Sequence, residues 1–468
     1  MRTERPRIES SKRSNEVILT DVPPSGNTHH ILPGYRHTSV VSYDSEMRRP
    51  SEQQDSHAIS WAMVLVLGAL SGIPPLAFDM YLPALPDVAT DYGVPESYIQ
   101  LTLSSCLIGI ALGQLFGGPI SDALGRRRPL LIGCVGYTAL AFACAVAPSA
   151  LVLVLLRFFM GLFGGVAVVI SRAIVRDRSS GAAAARIFSL LMLVSSIAPI
   201  VAPVIGGVLI NLTSWRGIFA VLGGLGAITL IAVVVILPET LPVDRRRSGG
   251  VADTMSVVRV VVRDRRFMGY ALTAGFTAGA LFFYISSSSF VFQDIYGLSP
   301  QGFSAVFAGN AIGLMVFGQL NALLVGRLGP QPLLRFGVCQ VLAGTLALAT
   351  VVALGLGLAF VISTMVVANL GLPLIVPNAT ALGLTDYGRE AGMASAFIGV
   401  LQFAIGAVAT PLVGLFSDTN QYSMAYGMLS MAVLAAVTYA LMVARPLRRS
   451  SDGKPAPRAV GHALREPA

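Results

Sequence analysis

An all-α membrane fold follows from three properties of the sequence: twelve transmembrane helices in two six-helix halves around a central cavity. The first is composition. Of 468 residues, 54% are hydrophobic and 12% charged, with a mean hydropathy of +0.71. A water-soluble chain carries about twice that share of charge. The second is a recurrence of apolar runs about 20 residues long, the length a helix needs to cross a bilayer. The third is a long basic connection, Pro238–Arg266, that leaves six such runs on either side.

Residues 1–58 are rich in Arg, Ser and Pro and lack an apolar core, the composition of a disordered tail. The basic start meets no apolar stretch before Trp61, so no secretory signal is expected, and Met47 is an alternative start. The spans predicted by hydropathy are roughly 60–82, 97–117, 129–147, 150–171, 188–210, 214–237, 267–290, 303–324, 333–352, 354–378, 392–415 and 422–444. They divide into a first half, 59–237, a cytoplasmic central loop, 238–266, a second half, 267–444, and a second disordered tail, 445–468. Span 2 begins near Ser97 and span 8 near Phe303, a repeat of about 206 residues. Such a repeat implies related halves with ligand sites near the midplane.

Orientation follows from arginine. With the N-terminus inside, the inner loops from Arg126 to Arg389 hold seventeen arginines and the outer loops hold only Arg216. Inner loops carry the basic excess. Both termini are therefore expected in the cytoplasm, with the chain multi-pass in the cell (plasma or inner) membrane. The net charge of +9 then reflects loops facing acidic lipid, not nucleic acid.

Composition also excludes several chemistries. The lysines are Lys12 and Lys454, and neither follows the glycine spacing of a phosphate-binding loop. All five histidines lie in the polar tails, so no histidine relay or histidine metal site is expected inside the membrane. Cys106, Cys134, Cys144 and Cys339 fall in apolar runs without paired spacing and read as small packing residues. No paired acid, base or metal site emerges, so neither an enzyme nor a cofactor is expected.

Against that background Asp79, at the end of the first run, is the one carboxylate inside an apolar run. An acid removed from water persists where it faces a cavity or a partner, and it can hold a proton near neutral pH. The bland alternative is that the helix stops earlier and Asp79 lies among headgroups. Arg157 is the strongly charged cation of span 4, and helix rise puts both residues in the same outer third of the bilayer. It either faces Asp79 for proton coupling or bonds backbone carbonyls and holds helices together. Tyr81, Gln114, Tyr284, Asn310 and Gln402 are polar or aromatic positions that can line a substrate cavity or serve as interhelical glue.

Two loops carry stronger patterns. Gly118, Asp122, Gly125 and Arg126 stand in the sequence Gly117 to Arg128 between spans 2 and 3, where an acid among arginines at an inner helix end can form a gate. Pro203, Gly206 and Gly207 lie in span 5. The first pattern resembles the signature loop of the major facilitator superfamily. Arg157 to Gly161 resembles its membrane-embedded arginine motif, with Met160 where glutamine is usual. Ala202 to Gly207 resembles its antiporter motif, with Ala202 where glycine is usual. Asp79 to Pro86, Trp215-Arg216, Phe283 to Ser286, Tyr296 to Pro300, Pro377 to Thr380 and Gly392 to Ala396 are similar to the bicyclomycin and chloramphenicol resistance exporters over about residues 60–444.

The resemblance implies drug:proton antiport of small amphipathic drugs or metabolites. Proton-coupled uptake of a small nutrient by symport is the alternative, with the Pro203 motif and the few fixed charges arguing against it. The expected partners are a small-molecule substrate, protons and the lipid bilayer, for a monomer.

Overall fold

The computed structural model describes residues 60–246, 259–387, 391–412 and 421–444. The expected tails and the middle of the central loop lie outside these residues. No strand occurs among the described residues. Among the described residues eleven helical stretches are long and apolar enough to cross a membrane, and the shorter apolar helix Ala394–Thr410 falls on the remaining predicted span.

The first helix, α1, runs Trp61–Asp79, capped by the Ser60 hydroxyl accepting from Met63 N at 3.3 Å. It stops because Pro83 has no N–H to give the Asp79 carbonyl four residues back. A single 3₁₀ turn, Leu82–Ala84, leads into α2, Leu85–Tyr92, which ends at Gly93 with φ of 62°. Then follow α3, Glu96–Leu124; α4, Arg127–Ala145; α5, Ala150–Arg178; α6, Gly181–Leu212; and α7, Trp215–Ile236.

The second set opens with α8, Arg265–Phe290, whose N-terminal N–H groups of Arg266 and Phe267 donate to Asp264. It is prolonged by a π turn, Val291–Ile295. After it come α9, Pro300–Leu328; α10, Pro330–Ala353; α11, Leu358–Asn369; and α12, Leu372–Gly383. The last are α13, Ala391–Leu412, and α14, Gln421–Thr438, extended by a π segment, Tyr439–Ala444.

Two differences from the sequence expectation have physical causes. Several helices outrun the apolar runs that announce them, as α3, α5 and α6 do, because the backbone keeps pairing internally beyond the hydrocarbon core. The tenth span, expected as one helix over 354–378, is two helices broken at Leu370–Gly371. Pro373 sits in the first turn of the restarted helix, where its missing N–H costs nothing. Pro199 and Pro203, by contrast, lie inside an uninterrupted α6.

Within the first half α3 packs closely on α5. Gly109, Gly113, Gly161 and Gly165 lie against the main chain of the opposite helix, where a Cβ would collide with backbone atoms. Helix α1 packs against α5, α6 and α7; in the second half α8 packs against α12, α13 and α14. Between the halves α3 meets α13 and α6 meets α9. The bundle thus has two ends, one carrying Arg126 and one carrying Asp87.

Candidate functional site

Asp79 is the last residue of α1 and is 6% exposed. Among the described residues it has no hydrogen-bond or ion-pair partner. The end of its helix and the turn that follows meet α8 of the other half. Phe78 meets Phe282 edge-on with ring centroids 6.2 Å apart, and the Ser289 hydroxyl donates to the Leu82 carbonyl at 2.6 Å. These contacts bracket Asp79. The Tyr284 hydroxyl and the Ser287 hydroxyl are buried without a hydrogen-bond partner among the described residues.

Arg157 is fully buried and does not pair with Asp79. It donates from Nη1 to the Ala77 carbonyl at 2.8 Å. Its guanidinium lies 4.9 Å from the Tyr81 ring centroid and 5.6 Å from that of Phe219. Ring faces attract a desolvated cation. Its Nε and Nη2 have no hydrogen-bond partner among the described residues. Of the two sequence readings, the carbonyl-bonding one describes this geometry.

The five expected cavity residues separate into two groups. Tyr81, Tyr284 and Asn310 are buried in packing. Tyr81 accepts from Thr102 and tilts against Phe219; Tyr284 stacks on Phe307; Asn310 accepts from Asn369 at 3.2 Å. Gln114 and Gln402 are half-buried. On the paired helices α3 and α13 they lie at similar depth, each about 15 Å from the Arg126 end by helix rise.

The Arg126 end holds a charge cluster. Arg126 donates to Asp177 at 2.8 Å, to the Ser121 hydroxyl at 2.7 Å and to Asp122. Glu239, just past α7, accepts from the main-chain N–H groups of Arg126 at 2.8 Å and Arg127 at 3.2 Å, capping α4. Burial raises the Glu239 carboxyl, but N–H groups of Leu241, Arg126, Arg127 and Thr240 together hold it below its ordinary value. Gly125 has φ of +90°, and a Cβ there would meet Glu239 at 2.5 Å. Gly118 is different: a side chain there would find ordinary space, and the close approach belongs to Gly117. Among the described residues its members come from the first half and, with Glu239, from the start of the central loop; none comes from the second half. Asp177 and Glu239 were not separable from ordinary loop and helix-end acids by sequence.

The Pro203 motif does bridge. Gly206 faces the Met80 carbonyl, where a Cβ would collide, and Gly207 faces Ser304 of α9. Ser304 donates to the Pro203 carbonyl at 2.8 Å, and Gln301 donates to the Gly207 carbonyl at 2.8 Å. The motif is therefore seated between the α1 break and the second half.

Comparison with known proteins follows the same line. The family profile described as Major Facilitator Superfamily matches residues 67–411. An uncharacterised MFS-type transporter of Bacillus subtilis, YdgK, is 36% identical over 384 residues, spanning 81% of this chain and 94% of its own. A bicyclomycin resistance protein homolog of Haemophilus influenzae is 31% identical over 400 residues, spanning 83% of this chain and 98% of its own. In fold, the chain superposes on the xylose transporter XylE of Escherichia coli with a TM-score of 0.65 at 14% identity, covering 82% of this chain and 97% of that one.

Proposed function

The chain belongs to the major facilitator superfamily of membrane transporters, and we propose that it is a proton-coupled exporter of small amphipathic drugs or metabolites, working as a monomer by alternating access. It is a transporter and not an enzyme. The observation that carries the proposal is Asp79, a buried carboxyl without a partner among the described residues, at the broken end of α1 where that end meets a helix of the opposite half. The name of the bicyclomycin resistance relative supports a drug as substrate.

In the proposed cycle the arginine-rich end, with both termini, faces the cytoplasm. Asp79 takes a proton when the Asp87 end is open to the outside. Without its charge the carboxyl tolerates closure of that end, since burying a neutral acid costs far less than burying a carboxylate. Substrate entering from the cytoplasm displaces the proton, and the halves rock back. Arg157 stays at the Ala77 carbonyl and fixes the shape of the α1 end throughout. Gln114 and Gln402, at matching depth on α3 and α13, offer amides to the substrate from the two halves.

The test uses the full-length protein in liposomes with an imposed proton gradient, screened against chloramphenicol-like, bicyclomycin-like and cationic dye substrates. Antiport predicts proton movement opposite to substrate movement, lost in Asp79→Asn. Movement of both in one direction means symport and removes the exporter reading. Coupled transport that survives in Asp79→Asn removes Asp79 from its role.

A further inference from the structure

Four side-chain hydrogen bonds join the halves among the described residues, and all lie at the Asp87 end. Ser289 donates to the Leu82 carbonyl at 2.6 Å, and Gln293 donates to the Pro83 carbonyl at 3.1 Å. Ser304 and Gln301 donate to the carbonyls of Pro203 and Gly207. Every donor is a second-half side chain, and every acceptor is a first-half main-chain carbonyl. Gln293 also donates to the Ser289 hydroxyl at 2.7 Å, so the two act as a chain.

The acceptors are available for a local reason. Pro86 has no N–H to offer Leu82 four residues earlier. The Leu82 carbonyl takes a 3₁₀ bond from Leu85 and keeps a lone pair for Ser289. The same 3₁₀ turn begins three residues after Asp79. Above it, a cavity of about 540 Å³ opens at the bundle end, lined from α2 by Pro86 and Thr90, from α8 by Phe290 and from the π turn by Asp294.

We propose that Ser289 and Gln293 are positioning residues for Asp79: together they clasp the Leu82–Ala84 turn to α8 when the Asp87 end is closed, and release it when that end opens. The end of α1 then has one seat in the closed state and is unclasped in the open one, so the surroundings of its carboxyl change with the state of the transporter. The clasp has no formal charge, so its bonds are exchanged for water on opening without stranding an ion. The inference rests on the alternating-access reading above and adds the residues that join proton site to gate.

The test measures spin-label distances in the full-length protein with Cys339→Ser, since the other described cysteines are buried. One label pair, Thr90→Cys with Ile295→Cys, spans the halves at the Asp87 end. A second pair, Leu124→Cys with Leu328→Cys, spans them at the Arg126 end. All four positions are exposed. In Ser289→Ala/Gln293→Met a longer Thr90–Ile295 distance should gain population by about 25-fold, roughly five-fold per neutral hydrogen bond. The Leu124–Leu328 distance should shorten in step. Unchanged distances at both ends overturn the proposal, and so does lengthening at both ends, which signals a loosened fold. Gln293→Met alone, at the part-buried rim, should give about five-fold. Neither measurement needs substrate or a proton gradient. Reciprocal distance changes in a protein that shows no antiport would leave the clasp standing and remove the proton-coupled reading instead.

Discussion

The two ends of the bundle are held in opposite ways. At the Arg126 end the bonds are charged and, among the described residues, none of them reaches the second half: Arg126 to Asp177 and Asp122, and Glu239 to the start of α4. At the Asp87 end the bonds are neutral and cross between halves: Ser289, Gln293, Gln301 and Ser304 to carbonyls. Ion pairs withdrawn from water are costly to separate once formed. A hydroxyl or amide bonded to a carbonyl exchanges for water at a net cost of about 1 kcal/mol. On the proposed cycle the joint that opens is the neutral one, and the charged bonds hold one side of the bundle together.

The largest effect should come from Arg126→Ala. The side chain is 7% exposed, and its loss leaves Asp177, itself 16% exposed, with the Thr240 hydroxyl as its remaining donor. Removing the cation from a largely buried carboxylate should lower stability by about 3 kcal/mol, measured as thermal unfolding of the full-length protein in detergent. Arg216→Ala removes the Asp91 pair, whose side chains are 38% and 44% exposed, and is the matched control. It should cost about 0.5 kcal/mol. Equal losses in the two variants would mean that burial does not set the value of these pairs.

Next in size are two neighbouring glycines. In Gly206→Ala the new methyl meets the Met80 carbonyl inside the first half. Overpacking of that kind should lower stability by about 2 kcal/mol. In Gly207→Ala the methyl meets Ser304 Oγ at 2.6 Å across the seam, and the halves can part to relieve it. That variant should unfold at nearly the parent temperature while its Asp87 end opens, read by the Thr90–Ile295 distance. If Gly207→Ala also loses 2 kcal/mol, the seam is not a separable joint.

Glu239→Gln should cost about 1 kcal/mol at neutral pH, the worth of a helix cap. The pH profile gives the sharper result. Because the folded carboxyl is held below its ordinary value of 4.5, its contribution is complete above that value and is lost as pH falls through the lower folded value. The parent should therefore lose stability on acidification below about pH 4.5, and Glu239→Gln should lose less over the same window. Identical profiles would mean that the cap does not respond to charge.

What could be read in advance divides along the same line. Asp79 and Arg157 stood out because a charge in an apolar run is conspicuous whatever surrounds it. The spans were legible because bilayer thickness fixes their length. Glu239 and Asp177 were not, because acids are ordinary in loops and at helix ends. Their partner Arg126 lies 113 and 51 residues away in the chain. Ser289 meets a carbonyl 207 residues away, and nothing local names it. Proline was visible in spans 5 and 10. The helix continues through Pro199 and Pro203 in α6 and restarts beside Pro373 in α12.

The smallest effect expected is that of Ser304→Ala, and it separates seam from scaffold most finely. The hydroxyl lies 2.8 Å from the Pro203 carbonyl across the seam and 2.7 Å from the Pro300 carbonyl in its own helix. It has one proton to share between them. Removing it takes away less than one full cross-seam bond and leaves no buried donor behind, so unfolding should shift by no more than about 0.5 kcal/mol. The open population at the Asp87 end should still rise by about two-fold, because the closed state alone makes the bond to Pro203. A rise in Gly207→Ala without one in Ser304→Ala would assign the seam to shape and not to hydrogen bonding. Two-fold in Ser304→Ala beside about five-fold in Gln293→Met would place the stronger half of the seam at the α1 turn, next to Asp79.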